Sequence, residues 1–200
     1  MAIVVEHDKR KHEILEKSFD LFCRDGYEDV TFQKIADACG ITRTTLYIYF
    51  KNKREIFAWS IKWLTERLQA ALLEIIGDKR LSSGQCLRKT LAWAVDACAE
   101  RAGLFRVLLQ YMAQLEKNGV SPVERLRRRV LRGRHFLSTI IIRGQKNGEF
   151  KPLPVKAVND LLYSLIESAI FRIAVLRQQD VSAVKTSLNL AVDGLLARRA

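Results

Sequence analysis

Helix breakers are scarce in this chain, which holds 3 prolines and 10 glycines among 200 residues. With 48% hydrophobic residues, that shortage predicts a packed, mostly helical protein and excludes a disordered chain. The four cysteines, Cys23, Cys39, Cys86 and Cys98, form no CxxC pair and have no histidine at metal spacing. They read as small buried hydrophobes, and no metal and no cofactor is expected. His7, His12 and His135 are isolated, and no nucleophile with an adjacent base, paired carboxylates or glycine-rich phosphate loop occurs at a meaningful spacing. An enzyme is therefore not expected. No apolar run approaches the roughly 20 residues of a membrane span. The opening MAIVVEHDKRKHE turns polar after Val5, too soon for a signal peptide, so a cytoplasmic protein with no membrane partner is expected.

Positive charge is in excess: 34 Lys and Arg against 22 Asp and Glu, a net +12. Residues 1–55 are nonetheless balanced, with ten basic and ten acidic side chains. Within Thr31 to Arg54 the balance tips to five basic residues (Lys34, Arg43, Lys51, Lys53, Arg54) against Asp37. Local sign decides what a phosphate meets, because salt screens charges beyond roughly 8–10 Å.

That same stretch, TFQKIADACGITRTTLYIYFKNKR, reads as a helix, a tight turn and a second helix. Thr31 is placed to cap the first helix, whose inner face is Ile35 and Ala36. Gly40 follows the last helical residue, where a left-handed backbone carries no Cβ penalty, and Thr42 starts the next helix. Leu46 and Phe50, four apart, point inward and leave Arg43, Thr44, Thr45, Tyr47, Ile48 and Tyr49 for an outer face. A helix offering hydroxyls, a guanidinium and two phenols fits a DNA major groove.

From about Lys11 to Phe57 the sequence resembles the DNA-binding domain of TetR/AcrR-type transcriptional regulators. The resemblance lies in Ile14-Leu15, Phe19, Phe22, Gly26-Tyr27, Thr31, Ile35-Ala36, Gly40-Ile41, the run Thr44 to Phe50, and Lys53. Ser18 stands where the family often has Ala, and Cys39 where Ala or Leu is usual. The resemblance implies an all-α fold, with a three-helix helix-turn-helix domain over 1–55 and a helical effector-binding and dimerisation domain over 56–200, about nine helices in all. It also implies that Tyr47, Tyr49 and Lys53 hold phosphates, while Gln33, Arg43, Thr44 and Thr45 take base-edge positions, with the caps Thr31 and Thr42 in the same set.

Beyond residue 50 the pattern stays helical. A long helix starts near Lys51; further helices cover about 84–101 and 104–115, and one follows the Asn118–Pro122 break, with Ser121 as its N-cap and Pro122 at its first position. In this last helix Gly133 lies in the row of Leu126, Val130, Leu137 and Ile141, where a neighbour can approach closely. Two more helices are expected over about 154–177 and 181–198. Their apolar rows are wide enough for a core on one side and an isologous four-helix dimer on the other, with Leu162, Ile166, Ala169, Ile173, Leu188, Val192 and Leu195 as candidate interface. Trp93, Phe105, Tyr111, Phe136, Tyr163 and Phe171 lie on helices that would surround a ligand in the family, with Gln110 and His135 as further polar candidates; core packing is the alternative for each. Arg125, Arg127, Arg128, Arg129, Arg132 and Arg134 read as a solvated face, as a site for an anionic effector or thioester headgroup, or as an auxiliary DNA or partner contact.

The function expected from these features is a homodimeric repressor that binds a pseudo-palindromic double-stranded operator and is released by a small, apolar effector. The alternatives are a regulator without an effector, an activator, and a helical ligand-binding or adaptor protein that no longer binds DNA.

Overall fold

The computed structural model describes residues 2–117, 119, 121, 123–178 and 180–197, with side chains described from Glu6 onward except over 122–129. Pro122 lies outside the described residues, as do the side chains of Arg125, Leu126, Arg127, Arg128 and Arg129. The described residues form nine helices: α1 (Ala2–Asp25), α2 (Phe32–Cys39), α3 (Arg43–Tyr49), α4 (Lys53–Gly77), α5 (Ser83–Glu100), α6 (Ala102–Lys117), α7 (Val123–Lys146), α8 (Val155–Ala174) and α9 (Ser182–Leu195). The fold is all-α.

Two compact units divide the chain. The first takes Met1–Ala70 with Arg106–Ala113, the second Ala71–Phe105 with Gln114–Ala200. The division falls inside α4, beyond residue 55, because Ile56, Phe57, Ser60, Ile61 and Leu64 of its first half are buried. α6 likewise gives its middle to the first unit and its ends to the second.

In the first unit, Ile14, Leu15, Phe19 and Phe22 of α1 form the stripe its spacing predicts, and they are buried with Ile35, Ala36, Leu46, Phe50 and Phe57. Removing one such side chain from water is worth about 1.5–3 kcal/mol. Ser18 and Ser60, both fully buried, satisfy their hydroxyls on the carbonyls of Ile14 (2.6 Å) and Leu15 (3.0 Å), so a polar residue sits in this core without an unmet hydrogen bond. Helix α1 starts at Ala2, ahead of the charged residues of its first turns.

The second unit is built on α5, whose buried Cys86, Leu87, Leu91 and Val95 meet α7, α8 and α9. Ser82 caps α5 in a capping box with Gln85. Glu149, from the loop after α7, accepts from Ser83 N (2.6 Å), Ser83 Oγ (2.8 Å) and Gly84 N (3.3 Å) at the same helix end. The helix expected to reach residue 198 ends at Leu195. There the chain turns extended, Leu196 forms a bridge with Phe150, and the amide of Ala197 donates to Glu149 O at 2.9 Å.

Candidate nucleic-acid interface

Two caps and one left-handed residue set the reading helices. Thr31 Oγ1 accepts from Lys34 N (3.1 Å) to start α2, and Thr42 Oγ1 accepts from Thr45 N (3.1 Å) to start α3. Between them Gly40 takes φ 65°, and its amide and that of Ile41 donate back to Asp37 O and Ala36 O. A side chain at Gly40 would have space but not the backbone conformation. Leu46 and Phe50 are buried, which fixes the rotation of α3 and turns Arg43, Thr44, Tyr47 and Ile48 outward. Thr45 and Tyr49 are half-buried at the edge of that face.

Neighbours hold several of these side chains in place. The Arg43 guanidinium donates to Tyr47 Oη at 3.2 Å and stands 5.7 Å from the centre of its ring; Phe32 braces Tyr47 from α2 at 4.6 Å. Gln33 donates to Asp37 (2.7 Å) and is exposed. Tyr49 is stacked against His7 from the first turns of α1, 4.7 Å between ring centres. The Thr31 and Thr42 hydroxyls act as caps, so their role here is to place the helices.

Lys53 is tied inward. Its ammonium donates to the carbonyls of Tyr27 (2.8 Å) and Glu28 (3.2 Å) and lies 4.6 Å from the Tyr27 ring centre. Burial pulls its pKa down, more than the nearby Glu28 and Asp29 raise it. Tyr27 itself is buried in a group of rings with Phe22, Phe57 and Tyr111, and burial pushes its phenol up to about 12. Gln110, from the middle of α6, accepts from Tyr27 N (3.4 Å) and lies against Gly26, which has φ 92°. Gln110 carries no sequence signal for this part, because only the fold brings it 83 positions back along the chain.

Residues 14–58 match the family described as bacterial regulatory proteins, tetR family. Over its helix-turn-helix part the chain is similar to the tetR family. It is 38% identical over 56 residues to the uncharacterized HTH-type transcriptional regulator YfiR of Bacillus subtilis (strain 168), a match that covers 28% of this chain and 27% of that one. A TetR transcription regulator from Haloarcula marismortui has a similar structure (TM-score 0.82, 21% identity, covering 95% of this chain and all of that one). So does the transcriptional regulator FadR from Bacillus subtilis in complex with stearoyl-CoA (TM-score 0.68, 26% identity, covering 92% and 98%).

The remaining expected positions fall into two groups. Trp93, Phe105, Phe136 and Tyr163 are half-buried in the second unit, on four different helices. Tyr163 lies against Gly133, where an added Cβ would stand 3.4 Å from its ring, and Arg134 covers its face at 4.8 Å while pairing with Asp160. Phe171 is 55% exposed. Tyr111 lies elsewhere, in the aromatic group of the first unit, its ring 4.9 Å from that of Tyr27.

The candidate dimer residues are placed inward. Leu162, Ala169, Ile173, Leu188, Val192 and Leu195 are buried in the single chain, and Ile166 is half-buried against the same core. The α8 and α9 rows read as an interface therefore fill the subunit's own interior. The large apolar side chains turned outward here are Leu161 and Phe171 from α8, Val175 and Leu176 just past its end, and Leu190 from α9.

Among the described residues no helix is long and apolar enough to cross a membrane.

Proposed function

We propose that this regulator works in the cytoplasm as a homodimeric repressor of a pseudo-palindromic operator and is released by a small apolar effector. The observation that carries the DNA reading is the outward row of α3, where Arg43, Thr44 and Tyr47 stand exposed on a helix anchored by buried Leu46 and Phe50. In this reading Arg43 meets guanine O6 and N7, Gln33 an adenine, and the threonine methyls of Thr44 and Thr45 a thymine. Tyr47 and Tyr49 give phenol hydroxyls to phosphates. Lys53 gives a phosphate the proton that its two carbonyl partners leave over.

One seven-residue helix reads too few base pairs for useful specificity, so two copies spaced about one helical turn apart are required. Leu161, Phe171, Val175 and Leu190 form the surface that joins them, with exposed Ser164, Ser168, Ala183 and Ser187 small enough for close approach. The effector has an apolar tail lying among Trp93, Phe105, Phe136 and Tyr163. A thioester headgroup is supported by the stearoyl-CoA bound to the 26% identical FadR and by the arginines over 125–134.

Selection from a random duplex library, followed by a gel shift with added stearoyl-CoA, tests this reading. One enriched palindrome, bound by a dimer and released by the thioester, is the expected result. Absence of any enriched sequence overturns the DNA reading, and binding unaffected by hydrophobic or acidic compounds overturns the effector.

A further inference from the structure

Ile48 is 70% exposed, the most open of the large apolar side chains on the described surface. It lies on α3 between two tyrosines that are both held by neighbours: Tyr47 by Arg43 and Phe32, Tyr49 by the stacked ring of His7. Among the described residues, Ile48 itself is left open. It stands one turn beyond Thr44, so the two share one stripe of the helix and point at the same part of any groove that α3 enters.

We infer that Ile48 is a base-reading residue, which recognises the 5-methyl group of a pyrimidine in the major groove. The inference rests on the DNA-binding reading of α3. A branched aliphatic side chain has neither donor nor acceptor, so it offers nothing to a phosphate or to the polar edge of a purine. The one apolar group that a base pair presents in the major groove is the C5-methyl of thymine, and 5-methylcytosine places the same group there in modified DNA. Burying one methyl against one aliphatic side chain is worth about fourfold in affinity for each half-site. Thr44, one turn earlier, has a methyl of its own but also a hydroxyl that tolerates polar edges. Ile48 has no such latitude, and the preference it imposes is correspondingly narrow.

The test starts from the duplex that the wild-type chain selects. Each thymine is replaced in turn by deoxyuridine, which removes the methyl and leaves the Watson–Crick edge intact, and affinity is measured for wild type, Ile48→Val and Ile48→Ala. One replacement per half-site should weaken wild-type binding about fourfold. Ile48→Ala should lose a similar amount on the unmodified duplex and become insensitive to that replacement, with Ile48→Val between, while the melting temperatures of all three agree. If no thymine responds but cytosine methylation at one position raises affinity in an Ile48-dependent way, the methyl reading stands and 5-methylcytosine is its source. A selected duplex on which neither change matters, or on which Ile48→Ala stays sensitive, overturns the inference and leaves DNA binding intact. A chain that selects no duplex overturns both.

Discussion

The Phe150 ring occupies the space that a side chain would need at Gly144. Helix α7 ends at Lys146, the chain turns back through Gly148 (φ 70°), and the amides of Glu149 and Phe150 both donate to Gly144 O. This return delivers a buried ring onto the backbone it has just left. An ideal Cβ on Gly144 would stand 2.9 Å from Phe150 Cγ and nearer still to Cδ2 and Cε2.

Gly144→Ala should therefore destabilise the second unit by about 1–3 kcal/mol, because the ring must leave its site in a filled core. Gly133→Ala makes the opposite case. Its Cβ meets Tyr163 at 3.4 Å, an ordinary contact, while the helix interior gains up to about 1 kcal/mol from losing a glycine. Thermal melts of the two variants should move in opposite directions.

Glu149 gives the same loop a pH dependence. Burial raises its pKa, but the hydrogen bonds from Ser83 and Gly84 outweigh burial and hold it below the ordinary glutamate range. A depressed folded-state pKa contributes stability that is present above the unfolded value and is lost as the pH falls through the folded one. Wild-type stability should thus decline below about pH 4.5, in part through this group. Glu149→Gln should cost about 1 kcal/mol at neutral pH, as a lost helix cap does, and flatten that acid limb. Denaturant midpoints at pH 7 and pH 4 for both proteins check it; an equally steep decline in the variant would remove Glu149 from the account.

Arg43 and Lys53 should separate base reading from backbone holding. Arg43→Ala is expected to relax preference at one operator position, at a cost of about 1–3 kcal/mol on the selected site. Lys53→Ala should weaken every duplex alike and reduce the salt slope by about one. It should also lower the melting temperature, since the ammonium ties two loop carbonyls within the fold. Binding-site selection and salt titration on each variant decide whether the assignments are reversed.

The reading helices were legible because local rules determine them: a threonine cap, a glycine that must take positive φ, and an inward pair four apart need no knowledge of the rest of the chain. Ala169 shows where such reading stops. Its row has the helical period of an apolar face, but period alone does not say whether that face meets the chain's own helices or a partner's, and here α8 is covered from inside. Tyr111 was similarly open to two assignments until α6 proved to lend its middle to the first unit. Gly133 stood out by its place in a row of apolar residues, whereas Gly144 did not, since the ring that requires it arrives from beyond the end of the helix.

The proposed dimer gives the sharpest contrast between inward and outward positions. Ala169 is 0% exposed in the isolated chain, so Ala169→Arg buries an unpaired charge in the subunit's own core and should unfold the second unit, dimer or not. Leu190, on α9, is 66% exposed. Leu190→Glu should leave helix content and melting of the subunit nearly unchanged while setting two carboxylates against each other across the two-fold axis of the proposed dimer. Sedimentation should then report monomers, and affinity for the palindrome should fall towards that for a single half-site. Circular dichroism on both variants completes the comparison. A folded Ala169→Arg would mean that α8 is not covered as the structure has it, and a Leu190→Glu chain that still sediments as a dimer would move the contact surface off α9.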